Sequence, residues 1–250
     1  FALDAHFTIE QVGRNSKNHF INFNGTAGVW RKACINDAGN WQSDTLTEDL
    51  DLSYRSQLKG WQFKYLENVE TPAELPMVIS AARSQQFRWN KGGAENFRKM
   101  KGRLLSSKDI SVKTKIHGLL HLLNSTLFLS VFVVAVLSIP MLYLKFYLPQ
   151  FGLVFKASGI FVLSTIIFYV YYWHAYRQFH GRGFANFMRY TRDFFTFFTI
   201  AMGLSLHNSI AVLEGHWGKK SAFVRTPKFN LNKIGGNWRQ NKYLQTRLTV

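Results

Sequence analysis

Cysteine is almost missing from this chain: Cys34 is the single one. No intrachain disulfide can form, which suits a reducing compartment or a chain that needs no staple. Acidic residues are scarce too, 14 Asp and Glu against 31 Lys and Arg, for a formal charge of +17. An excess of that size points to an anionic partner, whether nucleic acid, membrane surface or phosphorylated substrate. No secretory signal, internal repeat or low-complexity tract is visible. Phe1 opens in mid-sequence style without an initiator Met, so the chain reads as a C-terminal fragment.

Charge itself is absent from two long stretches. Apolar residues make up 47% of the chain and gather in its second half. Residues 116–144 carry no charge, a run of about 43 Å as helix, ample to cross a bilayer. A second run, 157–176, is long enough to span back and ends in the aromatic belt Tyr171-Tyr172-Trp173. Basic residues crowd 98–115 and 177–192, and the positive-inside bias puts both in the cytoplasm. The reading is a transmembrane hairpin with spans at about 117–144 and 157–176, joined by a loop over 145–156. With the positive charge explained by membrane, nucleic acid drops out as a partner. A third apolar run, 194–213, is interrupted by Ser205, His207 and Asn208. If it spanned, the basic tail over 219–247 would lie outside, so it reads as a helix on the cytoplasmic interface.

Residues 1–100 read as soluble α/β material, with 101–193 as basic segment and hairpin, and 194–250 as interfacial helix, loop and basic tail. Helices are expected over 2–14, 29–38, within 44–60 and over 77–99, and strands at 20–23 and 61–65, where apolar and polar residues alternate. Thr47 is the N-cap of the third helix and Gly60 its C′ residue.

Four groups of residues carry the chemistry: Phe23-Asn24-Gly25-Thr26-Ala27-Gly28, Thr47-Glu48-Asp49, Gln85-Gln86-Phe87-Arg88-Trp89 and Phe223-Val224-Arg225-Thr226-Pro227-Lys228. A carboxylate in a first helical turn meets free N–H groups and the positive end of the macrodipole, which favours an ionised base. Gln85, Arg88 and Trp89 share one helical face; a guanidinium suits a diphosphate and an indole suits the C–H face of a sugar. Asp49-Leu50-Asp51 has the look of a D-x-D metal site, but on a helix the two carboxylates point roughly 200° apart. His117 and His121 stand at i, i+4, yet with no carboxylate nearby they make a poor metal site. Cys34 reads as core.

In that order these motifs resemble the processive, inverting family-2 glycosyltransferases, cellulose synthase-like and glucomannan synthase-like, over nearly the whole chain. The resemblance implies a partial GT-A-type α/β domain followed by the transmembrane α-helical hairpin and the interfacial helix. It implies Asp49 as catalytic base, with Glu48 and Thr47 shaping the acceptor end. Gln85, Arg88, Thr226 and Lys228 are the implied donor-binding residues, the last two on a mobile gating loop in which Arg225 replaces the usual Val. Trp89, Asn24, Gly25 and Thr26 are the implied acceptor-binding residues. The cofactor would be Mg2+ or Mn2+, with ligands upstream and none in this chain, so the fragment alone is expected to be inactive. Implied partners are a nucleotide-sugar such as UDP-glucose or GDP-mannose, a glycan or lipid acceptor, and membrane lipid. The expected product is a growing β-linked polysaccharide; a single-addition glycolipid glucosyltransferase and a non-catalytic polybasic scaffold are the rivals. The expected location is a bacterial inner membrane, or alternatively the Golgi, with the catalytic part cytoplasmic.

Overall fold

The computed structural model describes residues 2–76 and 78–226, and among them every regular element is helical. Helix α1 runs without a break through Ala2–Ala5, a π-helical stretch His6–Gln11 and Val12–Ser16. It is followed by α2 (Lys32–Asp37), α3 (Glu48–Leu58) and α4 (Ile79–Ser106). Helix α4 continues through the basic segment past the expected stop at 99, while α2 starts three residues later than expected, after an extended approach.

The strands expected at 20–23 and 61–65 are absent among the described residues. Neither segment has regular structure, and several of their backbone groups are met by side chains instead of a ladder. The Ile21 N–H donates to Gln57 Oε1 at 2.9 Å, and the Ile21 carbonyl accepts from Gln57 Nε2 at 2.7 Å. The Phe23 N–H donates to Ser53 Oγ at 2.8 Å. Further on, the Tyr65 N–H donates to Asn15 Oδ1 at 3.1 Å. Helix α3 thus holds the approach to the 24–26 turn from below. It ends as expected at Gly60, whose φ of +89° closes the last turn at a position glycine tolerates.

The first apolar run is divided. Residues 112–122 form a separate helix, α5 (Val112–Leu122), and only after a turn at 123–125 does α6 (Thr126–Tyr147) begin. The division has a local cause: α5 is docked on α3 and α4. The buried Tyr54 hydroxyl of α3 hydrogen-bonds the Gly118 carbonyl at 3.1 Å and His121 Nδ1 at 2.7 Å. Tyr54 also packs with Phe20, Met100, Leu104 and Leu122 in one apolar cluster. After a 3-10 turn, Pro149–Phe151, come α7 (Gly152–Ser158) and α8 (Phe161–His180). Two segments, Thr126–Tyr147 and Phe155–His180, are long and apolar enough to cross a membrane, with mean hydropathy 2.5 and 1.4.

The third apolar run is two helices, α9 (Phe184–Gly203) and α10 (Ser205–Trp217), meeting at a 52° bend. Helix α9 packs Tyr190 and Phe194 onto Tyr169, Tyr172 and Trp173 of α8. Helix α10 instead lies against α4 and α6. A Cβ on Gly215 would stand 2.6 Å from the Lys91 carbonyl oxygen and 2.8 Å from Ala94 Cβ. Backbone cannot yield as a side-chain tip does, so Gly215→Val should destabilise the chain by about 2 kcal/mol or more. A thermal melt in detergent reads this as a lower midpoint; an unchanged midpoint would show that α10 is not held there.

Candidate functional site

Helices α3 and α4, the 24–26 turn and the 219–226 segment position the site. Helix α4 fixes the entry to α3: Asn96 Nδ2 donates to the Thr47 carbonyl at 3.1 Å and to Thr47 Oγ1 at 3.0 Å. The Leu46 N–H donates to Glu95 Oε2 at 2.7 Å. Gly92 allows this approach, since a Cβ there would meet the Thr47 side chain and, at 2.9 Å, its backbone nitrogen. Thr47 therefore does not cap α3 with its hydroxyl, contrary to the sequence reading, because Asn96 claims that oxygen.

Successive residues of the first α3 turn then part company. Asp51 is fully buried and paired with Arg55 at 2.7 Å and Lys99 at 2.7 Å. Asp49 faces the other way, toward the 24–26 turn, where a Cβ on Gly25 would lie 3.2 Å from Asp49 Oδ2. Gly25 also has a φ of +75°, so both its conformation and its closeness to the carboxylate call for glycine. The other carboxylate oxygen accepts the Leu50 N–H at 2.8 Å.

Burial pushes the Asp49 carboxyl up to about 6, and the Glu48 charge pushes the same way. The Leu50 N–H and the Arg88 guanidinium oppose that shift without cancelling it. This corrects the expectation of a carboxylate held firmly ionised at a helix start: loss of water outweighs the free N–H groups. Arg88 is itself half-buried, and the charges of Glu48 and Asp49 reach it.

Arg88 is also where the last motif arrives. Its Nη1 donates to the Val224 carbonyl at 2.9 Å, its Nη2 lies 3.5 Å from Thr226 Oγ1, and its guanidinium sits 4.7 Å over the Phe223 ring. Gln85 is half-buried one turn earlier; Trp89, on the same face, is 39% exposed. Asn24 and Thr26 are exposed on their turn, with Asn24 Oδ1 accepting from Asn22 Nδ2 at 2.6 Å. Lys228 lies outside the described residues. The fold therefore brings together Thr47, Glu48, Asp49, Gly25, Arg88 and Thr226, and leaves Trp89, Asn24 and Thr26 exposed.

Several residues of this arrangement escaped the sequence reading. Lys91 is fully buried, ion-paired with Glu214 at 2.9 Å and hydrogen-bonded to Ser221 Oγ. Glu214 holds Lys219 as well, so the root of the 219–226 segment is tied to α4 and α10 by charge. Trp30 sits at the centre of an aromatic group with Phe63 at 4.9 Å, Phe23 at 5.5 Å and Trp41 at 6.0 Å. The visible signal for Lys91 was the run of small residues directly after it, which marks close helix contact; nothing in one dimension paired Trp30 with Phe63.

The described residues do not fit a divalent cation. No three His, Cys, Asp or Glu side chains among them converge, and Asp51 is committed to Arg55 and Lys99. His121 is occupied by Tyr54, and His117 stacks on His19.

A family model described as glycosyl transferase family group 2 matches residues 1–176. Among curated proteins, the probable glucomannan 4-beta-mannosyltransferase 4 of Oryza sativa subsp. japonica is 38% identical over 174 residues, 66% of this chain and 31% of that protein. Glucomannan 4-beta-mannosyltransferase 1 of the same species is 47% identical over 116 residues, 46% of this chain and 22% of its own length. Glucomannan 4-beta-mannosyltransferase 9 of Arabidopsis thaliana is 36% identical over 170 residues, with shares of 66% and 32%. The chain spans no more than about a third of the length of these relatives. No solved structure matches it.

Proposed function

The chain belongs to the glycosyl transferase family group 2, an enzyme family, and on that premise we propose that it contributes catalytic, donor-binding and acceptor-binding residues to an inverting transferase that moves a sugar from a nucleotide-sugar onto a growing β-linked polysaccharide at a membrane. The observation that carries this reading is the Asp49 carboxylate beside the Gly25 turn, within electrostatic reach of Arg88 but not paired with it in a salt bridge. The acceptor hydroxyl attacks the anomeric carbon and gives its proton to the Asp49 carboxylate as the new C–O bond forms. The bond from that carbon to the diphosphate oxygen breaks on the opposite face. Arg88 meets the negative charge that builds on the departing nucleoside diphosphate. Gln85 and Thr226 assist on the donor side, with Lys228; Glu48 and Thr47 hold the shape of the acceptor end. Trp89 and the Asn24-Gly25-Thr26 turn bear on the terminal acceptor sugar.

A GT-A-type α/β domain requires a sheet, which other parts of the whole protein supply. Mg2+ or Mn2+ is likewise assigned to ligands outside this chain, and no step of the transfer is given to it here. Helices α6 and α8 form the transmembrane hairpin and α9 lies on the cytoplasmic interface, its basic flanks facing the donor pool. The names of the plant relatives favour a mannosyl donor such as GDP-mannose over UDP-glucose. That those relatives come from plants favours the Golgi alternative over a bacterial inner membrane.

The test is the product. Membranes carrying the whole protein and radiolabelled GDP-mannose should yield a long, alkali-insoluble glycan, while a chloroform-soluble monoglycosyl lipid as sole product would overturn the polysaccharide reading. Trp89→Ala should shorten the chains and raise the acceptor KM by roughly tenfold, the loss of one stacking plane. Chains of normal length from that variant would remove Trp89 from the acceptor site.

A further inference from the structure

A cleft of about 500 Å³ opens between α1, α5 and Tyr171 in the middle of α8, and none of the transfer-site residues lines it. Its wall brings Arg14, Lys17, His19, Lys113, His117 and His121 together with a single carboxylate, Glu10. Glu10 is already committed, to Arg14 at 3.1 Å and His6 at 3.0 Å. Arg14 is buried and also donates to Asn22 Oδ1 at 3.0 Å. Lys17 and Lys113 are exposed and have no carboxylate partner among the described residues. His19 and His117 stack at 4.4 Å between them. Burial, then the charges of His117, Lys113 and Lys17, hold His19 below the usual histidine range. Two neutral imidazoles therefore add N–H donors to a wall whose fixed charge is positive.

The surroundings identify the kind of ligand. Tyr171 lines the cleft from α8, one of the two segments apolar enough to span. It belongs to the aromatic belt that marks the headgroup level. On α5, Val112, Ile116 and Leu120 form an i, i+4, i+8 stripe that is 71%, 54% and 63% exposed. Lys113 and His117 run beside it, and Leu120 reaches the rim of the cleft. An apolar stripe with Lys113 and Lys115 beside it at a membrane boundary is the pattern of a helix lying in the interface.

We propose that this cleft binds a phosphate, that of an anionic lipid headgroup, with Lys17 and Lys113 as its charged clamp and the acyl chains along the Val112, Ile116 and Leu120 stripe. The inference does not depend on the sugar-transfer reading. The site is separate from Asp49 and Arg88, and its readout is binding alone.

Native mass spectrometry of the full chain in detergent tests it, with phosphatidylglycerol, phosphatidylcholine and glycerol phosphate as probes. Phosphatidylglycerol should bind one to one and more tightly than phosphatidylcholine. The paired change Lys17→Gln with Lys113→Gln should weaken it roughly 30-fold. The control pair Lys64→Gln with Lys220→Gln, equal in charge lost, should leave it unchanged. Both pairs alter exposed side chains, and matching thermal midpoints exclude a folding defect. Glycerol phosphate binding as tightly, with the same dependence on Lys17 and Lys113, would keep the phosphate site and assign it to a soluble source. Equal losses from both pairs, or no dependence of either phosphate probe on Lys17 and Lys113, would overturn the proposal.

Discussion

Asp49→Asn in the whole enzyme should lower turnover by about 10³-fold, the contribution of a positioned general base. The same variant should raise the thermal midpoint at neutral pH. The amide keeps an oxygen for the Leu50 N–H and removes a charge that burial disfavours. The sign follows from the shift: the folded carboxyl titrates at about 6, above its ordinary 3.8. The folded state therefore holds the proton more tightly, and ionised Asp49 opposes folding. That penalty is absent below pH 3.8, grows through the interval and is complete above about 6. Wild-type turnover should accordingly rise with pH through about 6 and then level. Were Asp49 only a helix-capping carboxylate, the amide would lower the midpoint or leave it unchanged and turnover would survive. More than a tenth of wild-type activity in a folded Asp49→Asn variant removes this residue as base.

Arg88→Ala carries the second large effect, a loss of about 10²- to 10³-fold in kcat as the growing diphosphate charge goes unmet. The donor KM should rise with it, because Arg88 also carries the contacts to Val224, Thr226 and Phe223. Arg88→Lys should recover little, since an ammonium cannot present the planar fork that reaches two acceptors at once. Steady-state kinetics with varied donor checks this. A variant with raised KM and undiminished kcat would confine Arg88 to holding the loop.

How far the sequence foretold this site depends on the range over which each residue acts. The first-turn position of Asp49, the shared face of Gln85 and Trp89, and the stop at Gly60 follow from helical periodicity, a local property. The two apolar spans follow from length and missing charge, which are local as well. What failed was whatever a distant partner decides. A short apolar run at 20–23 ahead of a turn signal suggested a strand, but Gln57 and Ser53, 30 or more positions away, satisfy its backbone. Thr47 had the composition of an N-cap until Asn96 took its hydroxyl. The charge-free run over 116–144 concealed a break at 123–125, because Tyr54 anchors α5 to α3. Asp49 is the instructive case: its place on the helix was legible, but its proton affinity depends on how much water the fold removes.

One 28-residue helix, α4, carries Arg88 and Trp89 near its start and lies along α10 and α5 farther on. At 1.5 Å per residue it is a stiff rod of about 42 Å, without proline. The proposed transfer residues and the helices that pack beside the first apolar span are thus mounted on a single beam. A tilt imposed by a thicker or thinner bilayer should reach Arg88 through α4, with Gly92 and Gly93, where the helix bends most easily, as the place where part of it is absorbed. On the proposed role of Arg88, turnover should then differ between bilayers of two thicknesses.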